Sequence, residues 1–285
     1  LSSIQRRSIY EERLMPELPE VQTVADHIKP DLIGKNVTGI EPVWKKVLHN
    51  FAKNDLTGKH KIKNVSRRAK FIIIEFNNFL LAVHLRMTGK LYILDQDTLP
   101  KHTSAVIHLE NSDNLIFEDT RKFGRIYMYK DLSEINSRHG PEPLEKDFTR
   151  EWLLLNLKKK KRNIKALLLD QSFVSGLGNI YVDESLWESG IHPNSISCAI
   201  PKEKIFMLHH AIQSILSEAI KQLGTTFISF SFLNGRSGNY SNELKIFGKQ
   251  GEVCKNCGSI IKKIKVAGRG THVCTKCQKT HKPRK

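Results

Sequence analysis

The sequence has no continuous apolar run of about twenty residues, the length that a membrane-spanning helix requires. The first fourteen residues carry Arg6, Arg7 and Arg13 but no apolar segment of the kind found in secretory signals. Glu11 and Glu12 argue against a transit peptide, which is poor in acidic residues. The expected protein is therefore soluble and neither exported nor membrane-spanning.

Acidic residues are scarce, with 29 Asp and Glu against 46 Lys and Arg, which gives a formal net charge of +17 and a pI near 9.7. Such an excess of positive charge predicts an anionic partner. Nucleic acid is the expected partner. An anionic membrane surface is the weaker alternative, because no basic helix with a clean apolar face is found.

Cysteine is scarce too, with five residues in 285. Cys254 and Cys257 form one Cys-x-x-Cys pair, and Cys274 and Cys277 form another after sixteen residues. This spacing is typical of a four-thiolate zinc site in a reducing compartment, not of a disulfide framework. Four sulfur ligands leave no open coordination position, so we expect one structural Zn²⁺ that folds the module. Cys198 is expected to be a small neutral residue.

The stretch Met15–Val21 reads Met-Pro-Glu-Leu-Pro-Glu-Val. If Met15 is the initiating residue and is removed, the nitrogen of Pro16 becomes a secondary amine, which is a nucleophile toward carbonyl-like carbons. Residues 1–14 would then be a non-native or mis-annotated extension. If the peptide bond is retained, the nitrogen is an inert amide and the stretch is an ordinary helix start, where proline and glutamate are favoured.

The first half of the chain predicts a helix followed by strands. Apolar residues from Leu18 to Ile28 recur at helical spacing, and Pro30 is expected to stop or kink this helix. Asn77-Asn78 predicts a tight hairpin. Short runs rich in Val, Ile, Phe and Tyr predict an antiparallel sandwich or barrel, with strands at 62–65, 71–76, 79–84, 105–109, 115–118 and 125–129.

The second half predicts helices and then the cysteine module. Gly140-Pro141-Glu142-Pro143 marks a domain boundary. Beyond it the apolar pattern becomes helical at 152–157, 164–169, 181–187 and 205–223. Residues 260–266 alternate as a hairpin strand does.

Three turns in the strand-rich half combine cationic or hydrogen-bonding residues with loop chemistry: Ser66–Lys70, His84–Gly89 and Asp119–Gly124. The last two add Met87 and Phe123, which are large apolar residues able to wedge between stacked bases. The alternative for such residues at strand ends is ordinary core packing.

Two segments of the second half suit DNA contact. Asp170–Ile180 is a glycine-rich turn, and the helix expected from about Asn179 has free backbone N–H groups that can hold a phosphate. Between the cysteine pairs, glycines on both sides of Arg269 allow a turn to place that side chain in a groove, although a solvated surface charge is the alternative.

Together these motifs resemble the formamidopyrimidine-DNA glycosylase family. They are the Pro-Glu-Leu-Pro-Glu start, the Ser-Arg-Arg-Ala-Lys hairpin, the segment ending Gly-Leu-Gly-Asn-Ile-Tyr-Val-Asp-Glu, and the finger with Val-Ala-Gly-Arg-Gly-Thr. The match runs from Met15 to about Gln278, and Leu18 favours this branch of the family over the endonuclease VIII branch. The resemblance implies excision of 8-oxoguanine and formamidopyrimidines from double-stranded DNA, and then β,δ-elimination at the abasic site.

The resemblance also implies an α+β multidomain fold. Its parts are a catalytic β-sandwich with an N-terminal helix at 15–143, a helical helix–two-turn–helix domain at 144–248, and a zinc finger at 249–285. A monomer in the bacterial cytoplasm, associated with the nucleoid through DNA, is expected. Residues 225–240 correspond to the lesion-capping loop, in which Thr226–Phe230 departs from the family pattern, so the fine base preference is open.

Residue roles follow from the same resemblance. Pro16 is the nucleophile, Glu17 the acid, and Glu20 a supporting carboxylate. Lys70 contacts the lesion or its phosphate, and with Arg269 it completes the expected catalytic set. The expected contacts to backbone phosphates around the extruded nucleotide are His84, Asn179 and Arg269. The three residues expected to fill the hole left in the duplex are Met87, Arg121 and Phe123, with Arg121 facing the unpaired cytosine.

Two alternatives stay open at this point. One is an endonuclease VIII-like glycosylase for oxidised pyrimidines. The other is a non-catalytic zinc-containing DNA-binding protein, which would apply if the bond before Pro16 remains intact.

Overall fold

The computed structural model describes residues 15–52, 56, 58–94, 98–110, 113–225 and 238–283. The predicted N-terminal extension and the divergent residues 226–230 lie outside this range. The chain divides into two compact units. The first comprises the described residues up to Ser137 together with those of Gln222–Asn239, and the second comprises Arg138–Lys221 with the described residues from Tyr240 onward.

The first unit contains helix α1 and two five-stranded sheets. One sheet has the order β3-β1-β8-β9-β7, and the other has the order β2-β10-β6-β5-β4. Neighbouring strands are antiparallel except for β2 and β10. The elements are α1 (Leu18–Leu32), β1 (Asn36–Glu41), β2 (Leu48–His49), β3 (His60–Lys61), β4 (Asn64–Arg68), β5 (Phe71–Glu75), β6 (Leu80–His84), β7 (Gly89–Leu94), β8 (Thr103–Leu109), β9 (Asn114–Asp119) and β10 (Arg125–Tyr129).

The core of this unit lies between the inward faces of the sheets and the apolar side of α1. Val21, Val24 and Ile28, spaced by one helical turn, pack against buried strand residues such as Val83 and Phe117. The predicted antiparallel sandwich is therefore confirmed. Burial of this face fixes the first turn of α1, and hence Pro16 and Glu17, against the sheets.

Three local predictions were wrong or incomplete. Helix α1 continues through Pro30 to Leu32, where the N–H of Ile33 donates to the carbonyl of Lys29 at 3.1 Å and closes the last turn. Strands β1, β2, β3 and β7 were not predicted, and Gly89 at the start of β7 was taken only as the end of a turn. The strand predicted at 62–65 is displaced, because β4 covers Asn64–Arg68 and so includes the first residues of the predicted turn Ser66–Lys70, which precedes β5 as expected.

The second unit is built from helices and one hairpin. Helix α2 (Ser133–Arg138) crosses the boundary, and only its last residue belongs to the second unit. The other elements are α3 (Arg150–Lys158), α4 (Ile164–Leu168), α5 (Asn179–Glu188), α6 (Lys202–Lys221) and the two-stranded sheet of β11 (Lys262–Val266) and β12 (Arg269–Val273). Side-chain oxygens of Thr149 and Asn163 accept backbone N–H groups in the first turns of α3 and α4. Among the described helices, none is long and apolar enough to cross a membrane.

The domain bounds drawn from the sequence, at 143/144 and 248/249, stay predictions. The division into compact units falls at Ser137/Arg138 and places Gln222–Asn239 in the first unit. Two hydrogen bonds join Thr225 of this stretch to Glu20 of α1.

Candidate functional site

The start of α1 holds three of the predicted site residues. Pro16 is buried, and Glu17 and Glu20 are each 2 % exposed. Glu17 is the N-cap residue, and its backbone N–H donates to Oε2 of Glu20 at 2.9 Å in a capping box. The residue next to the Pro16 nitrogen is thus fixed in place, and two carboxylates lie at the positive end of the helix dipole.

A cavity of about 430 Å³ lies beside this N-terminal stretch. It is lined by Met15, Arg86, Met87, Phe123, Arg125 and Tyr127. Met15 is the residue whose removal would expose the Pro16 nitrogen, so the cavity adjoins the predicted reaction centre. Its two arginines make it a suitable place for a negatively charged DNA segment.

The turns His84–Gly89 and Asp119–Gly124 are joined through Asp119, which is 1 % exposed. Its carboxylate accepts the hydroxyl of Thr88, the N–H of Arg121 at 3.2 Å and the N–H of Gly124 at 2.7 Å. One buried carboxylate thereby holds both turns in a single arrangement.

Met87, Arg121 and Phe123 meet at the tip of these turns. Nη1 of Arg121 lies 3.1 Å from the sulfur of Met87, and its guanidinium lies 4.8 Å from the centre of the Phe123 ring. Phe123 is 48 % exposed, which is unusual for a large apolar side chain. The structure therefore brings together the three residues expected to fill the hole in the duplex. Their role stays a prediction.

Lys70 and His84 lie at the ends of neighbouring strands. Phe71, the residue after Lys70, pairs directly with His84, and the centres of their rings are 4.8 Å apart. Lys70 is 4 % exposed and His84 is 8 % exposed. The hairpin turn is fastened to α1, because Nε of Arg67 donates to the side chain of Gln22 at 2.9 Å.

Four of the predicted DNA-contact turns contain a non-glycine residue in the left-handed region of backbone space. These residues are Ala69, Arg86, Lys122 and Ala267, with φ between 50° and 57°. Such a conformation costs about 1–3 kcal/mol per residue and clusters at functional sites. Sequence reasoning missed this feature, because none of these residue types marks a left-handed turn.

In the second unit, Asn179 and Arg269 are brought together. Asn179 begins α5, as predicted, and its side-chain amide donates to the carbonyl of Gly270 at 3.1 Å. Arg269 is exposed at the start of β12. The start of α5, which is predicted to hold a phosphate, therefore contacts the residue next to a cationic side chain.

A buried network supports this pair. Lys165 and Asp183 are fully buried, and their charged groups lie 2.5 Å apart. Lys165 also donates to the hydroxyl of Thr271 at 2.8 Å, and Asp183 accepts the backbone N–H of His272 at 2.9 Å. The network joins α4 and α5 to β12, the strand that carries Arg269. Sequence reasoning missed it, because the partners are far apart in the chain.

Methionine in place of Lys165 is expected to lower the free energy of unfolding by about 3–5 kcal/mol, because Asp183 is left as an unpaired buried charge. Urea unfolding of the purified protein measures this loss. The double variant with Asp183→Asn also in place should recover part of it, since the unpaired charge is then gone. A loss below about 1 kcal/mol, the size expected for an exposed ion pair, would contradict this account.

The four cysteines of the two pairs form one cluster, in which all sulfur atoms lie within 4.8 Å of one another. Two of the separations are 3.9 Å, between Cys254 and Cys277, and 3.4 Å, between Cys257 and Cys274. A tetrahedral zinc with Zn–S bonds of about 2.3 Å has edges of about 3.8 Å, so the cluster fits this metal. Cys198 lies apart from it, in a short helical turn.

The ionisation of these thiols also suits a cation. Hydrogen bonds from Ser259 lower the pKa of Cys257 to about 6, which favours its thiolate form. Burial raises the pKa of Cys274 and Cys277, so these two thiols need a nearby positive charge to ionise at neutral pH. A bound Zn²⁺ supplies that charge and leaves the four sulfurs as its ligands. The prediction of one structural zinc is confirmed by this cluster together with the zinc-finger family match below.

Three family models match the chain. The formamidopyrimidine-DNA glycosylase N-terminal domain matches residues 15–126, and the H2TH domain of the same glycosylase matches residues 139–231. A zinc finger found in this glycosylase and in isoleucyl-tRNA synthetase matches residues 251–280.

Whole proteins match over nearly the full chain. Formamidopyrimidine-DNA glycosylases of Desulforamulus reducens and Protochlamydia amoebophila are 39% and 41% identical, over 93% of this chain and 99% and 100% of theirs. Solved structures of the Lactococcus lactis protein match with TM-scores of 0.86, at 39% and 38% identity, over 93% of this chain and 100% of theirs. One is a complex with abasic-site DNA, the other a complex with DNA containing N7-benzyl-Fapy-dG.

Proposed function

The chain belongs to the formamidopyrimidine-DNA glycosylase family, and from this premise we propose that it is a bifunctional base-excision repair enzyme. It removes oxidised purines, chiefly 8-oxoguanine and formamidopyrimidines, from double-stranded DNA and then cuts the strand at the abasic site. It acts as a monomer in the bacterial cytoplasm, where DNA binding associates it with the nucleoid. The relatives crystallised with damaged DNA and the sequence match over both units support this function.

The single observation that carries the proposed chemistry is the placement of Pro16. It is buried at the start of α1, beside two buried carboxylates and a cavity with two arginines. A proline nitrogen there is a nucleophile once the bond to Met15 is cleaved. The damaged nucleotide must be extruded from the duplex to reach it, because its glycosidic carbon is shielded in the stack.

The reaction begins when the Pro16 nitrogen bonds to C1′ and the glycosidic bond breaks. Glu17 donates a proton to the ring oxygen of the sugar or to the leaving base. The proton that the proline nitrogen loses on bonding to C1′ goes to the other of these two sites, so the base departs as a neutral molecule. The sugar ring opens and leaves a cationic iminium between C1′ and the proline nitrogen.

Strand cleavage follows from the same adduct. The iminium withdraws electrons and acidifies the C2′ hydrogens, so loss of a C2′ proton expels the 3′ phosphate. A second elimination expels the 5′ phosphate, and hydrolysis releases the sugar fragment and restores the amine. One residue therefore serves both the glycosylase and the lyase steps.

DNA binding is assigned to the turns and the finger. In the first unit, Lys70 and His84 contact backbone phosphates or the lesion, while Met87, Arg121 and Phe123 fill the space left by the extruded base. In the second unit, Asn179 and Arg269 hold phosphates. Zinc held by the four cysteines folds the finger that presents Arg269 and takes no part in the chemistry.

Lesion preference tests this function. We expect single-turnover excision to be at least about tenfold faster from a duplex with 8-oxoguanine opposite cytosine than from one with thymine glycol, because discrimination rests on hydrogen bonds to the flipped base. An undamaged duplex is the control and should stay intact. Faster cutting of the thymine glycol duplex would favour the endonuclease VIII-like alternative instead.

A further inference from the structure

Glu20 joins two stretches of backbone that are distant in sequence. Its Oε2 accepts the N–H of Glu17 at 2.9 Å, while its Oε1 accepts both the N–H and the hydroxyl of Thr225, at 2.9 and 3.0 Å. Glu20 and Thr225 are each 2 % exposed. One carboxylate thus connects the residue beside Pro16 with a residue 205 positions along the chain.

Thr225 belongs to a closely packed neck, formed by Gln222–Thr225 and Gly238–Asn239. Thr225 forms an antiparallel bridge with Asn239. A Cβ on Gly238 would lie 2.4 Å from the carbonyl oxygen of Gly224, and a Cβ on Gly224 would lie 2.8 Å from Oε1 of Glu20. Only glycine allows these close approaches, so the neck packs directly against the Glu20 carboxylate.

The charge of the carboxylate strengthens these contacts. Hydrogen bonds to an ionised acceptor are about twice as strong as neutral ones, and a buried carboxylate without its donors is costly. Displacement of Thr225 would therefore disturb Glu20, and through Glu20 the backbone of Glu17.

We propose that Glu20 is a positioning residue that couples the neck to Pro16 and Glu17, and that this coupling supports base excision more than strand cleavage. The inference rests on the proposed function. Excision requires that the Glu17 acid and the damaged base are both correctly positioned relative to the Pro16 nitrogen. A preformed abasic site has no base to position.

Valine in place of Thr225 tests the coupling, because it keeps the shape of the side chain and removes only the hydroxyl. Single-turnover excision of 8-oxoguanine is expected to slow by about tenfold, the effect of removing one hydrogen bond to a carboxylate. Cleavage of a duplex with a preformed abasic site should change by less than about twofold. Thr225→Ser keeps the hydroxyl and should restore excision.

Thr23→Val is the matched control. Thr23 is a buried threonine of α1 whose hydroxyl donates to the carbonyl of Pro19 at 2.8 Å. This variant removes a comparable hydrogen bond within the helix, so it should leave the ratio of excision rate to abasic-site cleavage rate unchanged. Thermal unfolding of each variant shows that the comparison is made between folded proteins.

Glu20→Gln and its combination with Thr225→Val complete a double-mutant cycle between these two residues. Glu20→Gln should slow excision at least as much as Thr225→Val, and the double variant should be no slower than Glu20→Gln alone, because both changes break the same interaction.

Three results would each overturn the inference. They are multiplicative effects in the double variant, equal slowing of both reactions by Thr225→Val, and excision by that variant at the wild-type rate. Failure of the wild-type protein on both duplexes would instead overturn the proposed function. If Glu20→Gln does not fold, the serine and valine variants of Thr225 decide.

Discussion

Glycine in place of Pro16 is expected to slow both base excision and abasic-site cleavage by about a hundredfold. The pyrrolidine ring fixes the backbone at the start of α1, and without it the amine is no longer held at the position from which it attacks C1′. A displacement of about 1 Å at a reacting atom can cost this much. Single-turnover assays on 8-oxoguanine and abasic duplexes measure the two rates separately.

DNA binding by the same variant supplies the control. Contacts between cationic side chains of both units and the DNA phosphates are expected to supply most of the binding free energy. The dissociation constant for an abasic duplex should therefore stay within about twofold of the wild-type value. If the variant cuts both duplexes at the wild-type rate, the pyrrolidine ring is not what holds the nucleophilic amine in position. If it loses binding along with activity, the substitution has damaged the DNA surface instead.

Serine in place of Cys257 is expected to release the zinc and weaken DNA binding by roughly tenfold or more. The metal supplies folding energy to the finger, and the finger presents Arg269 and the carbonyl of Gly270 that accepts the Asn179 amide. The slope of log affinity against log salt should become shallower by about 0.9 for each phosphate that the finger no longer binds. Metal analysis and binding titrations at several salt concentrations measure both effects.

Cys198→Ser is the matched control, because Cys198 is the fifth cysteine and lies outside the cluster. It should keep one zinc per chain and wild-type affinity. Loss of zinc from the Cys198 variant, or full affinity in a zinc-free Cys257 variant, would contradict the assigned role of the finger.

Features that depend on local pattern could be predicted from the sequence. Short runs rich in Val, Ile, Phe and Tyr predicted six strands of the sandwich. The hairpin at Asn77-Asn78 is confirmed by the hydrogen bond from the N–H of Phe76 to the carbonyl of Phe79 at 2.9 Å. The cysteine spacing predicted the zinc cluster, since four thiolates in two short turns have few other uses. The glycine-rich turn before Asn179 located the start of α5.

Features that depend on contacts between distant residues could not be predicted. The bond from Thr225 to Glu20 spans 205 positions, and the Lys165–Asp183 pair is buried only because α4, α5 and β12 pack together. Pro30 was expected to interrupt α1, yet the packing of Leu32 in the core carries the helix past it. The roles of the DNA-contacting residues likewise stay predictions, because they depend on a partner that the chain alone does not contain.

Borohydride trapping tests the central claim most directly. The protein whose chain begins at Pro16 is mixed with a duplex containing 8-oxoguanine in the presence of borohydride, which reduces an iminium to a stable amine. The account predicts a covalent protein–DNA adduct that peptide mass spectrometry locates at the Pro16 nitrogen, and no adduct from protein in which the Met15–Pro16 bond is intact. An adduct at a lysine, or none from the protein with a free Pro16, would contradict it.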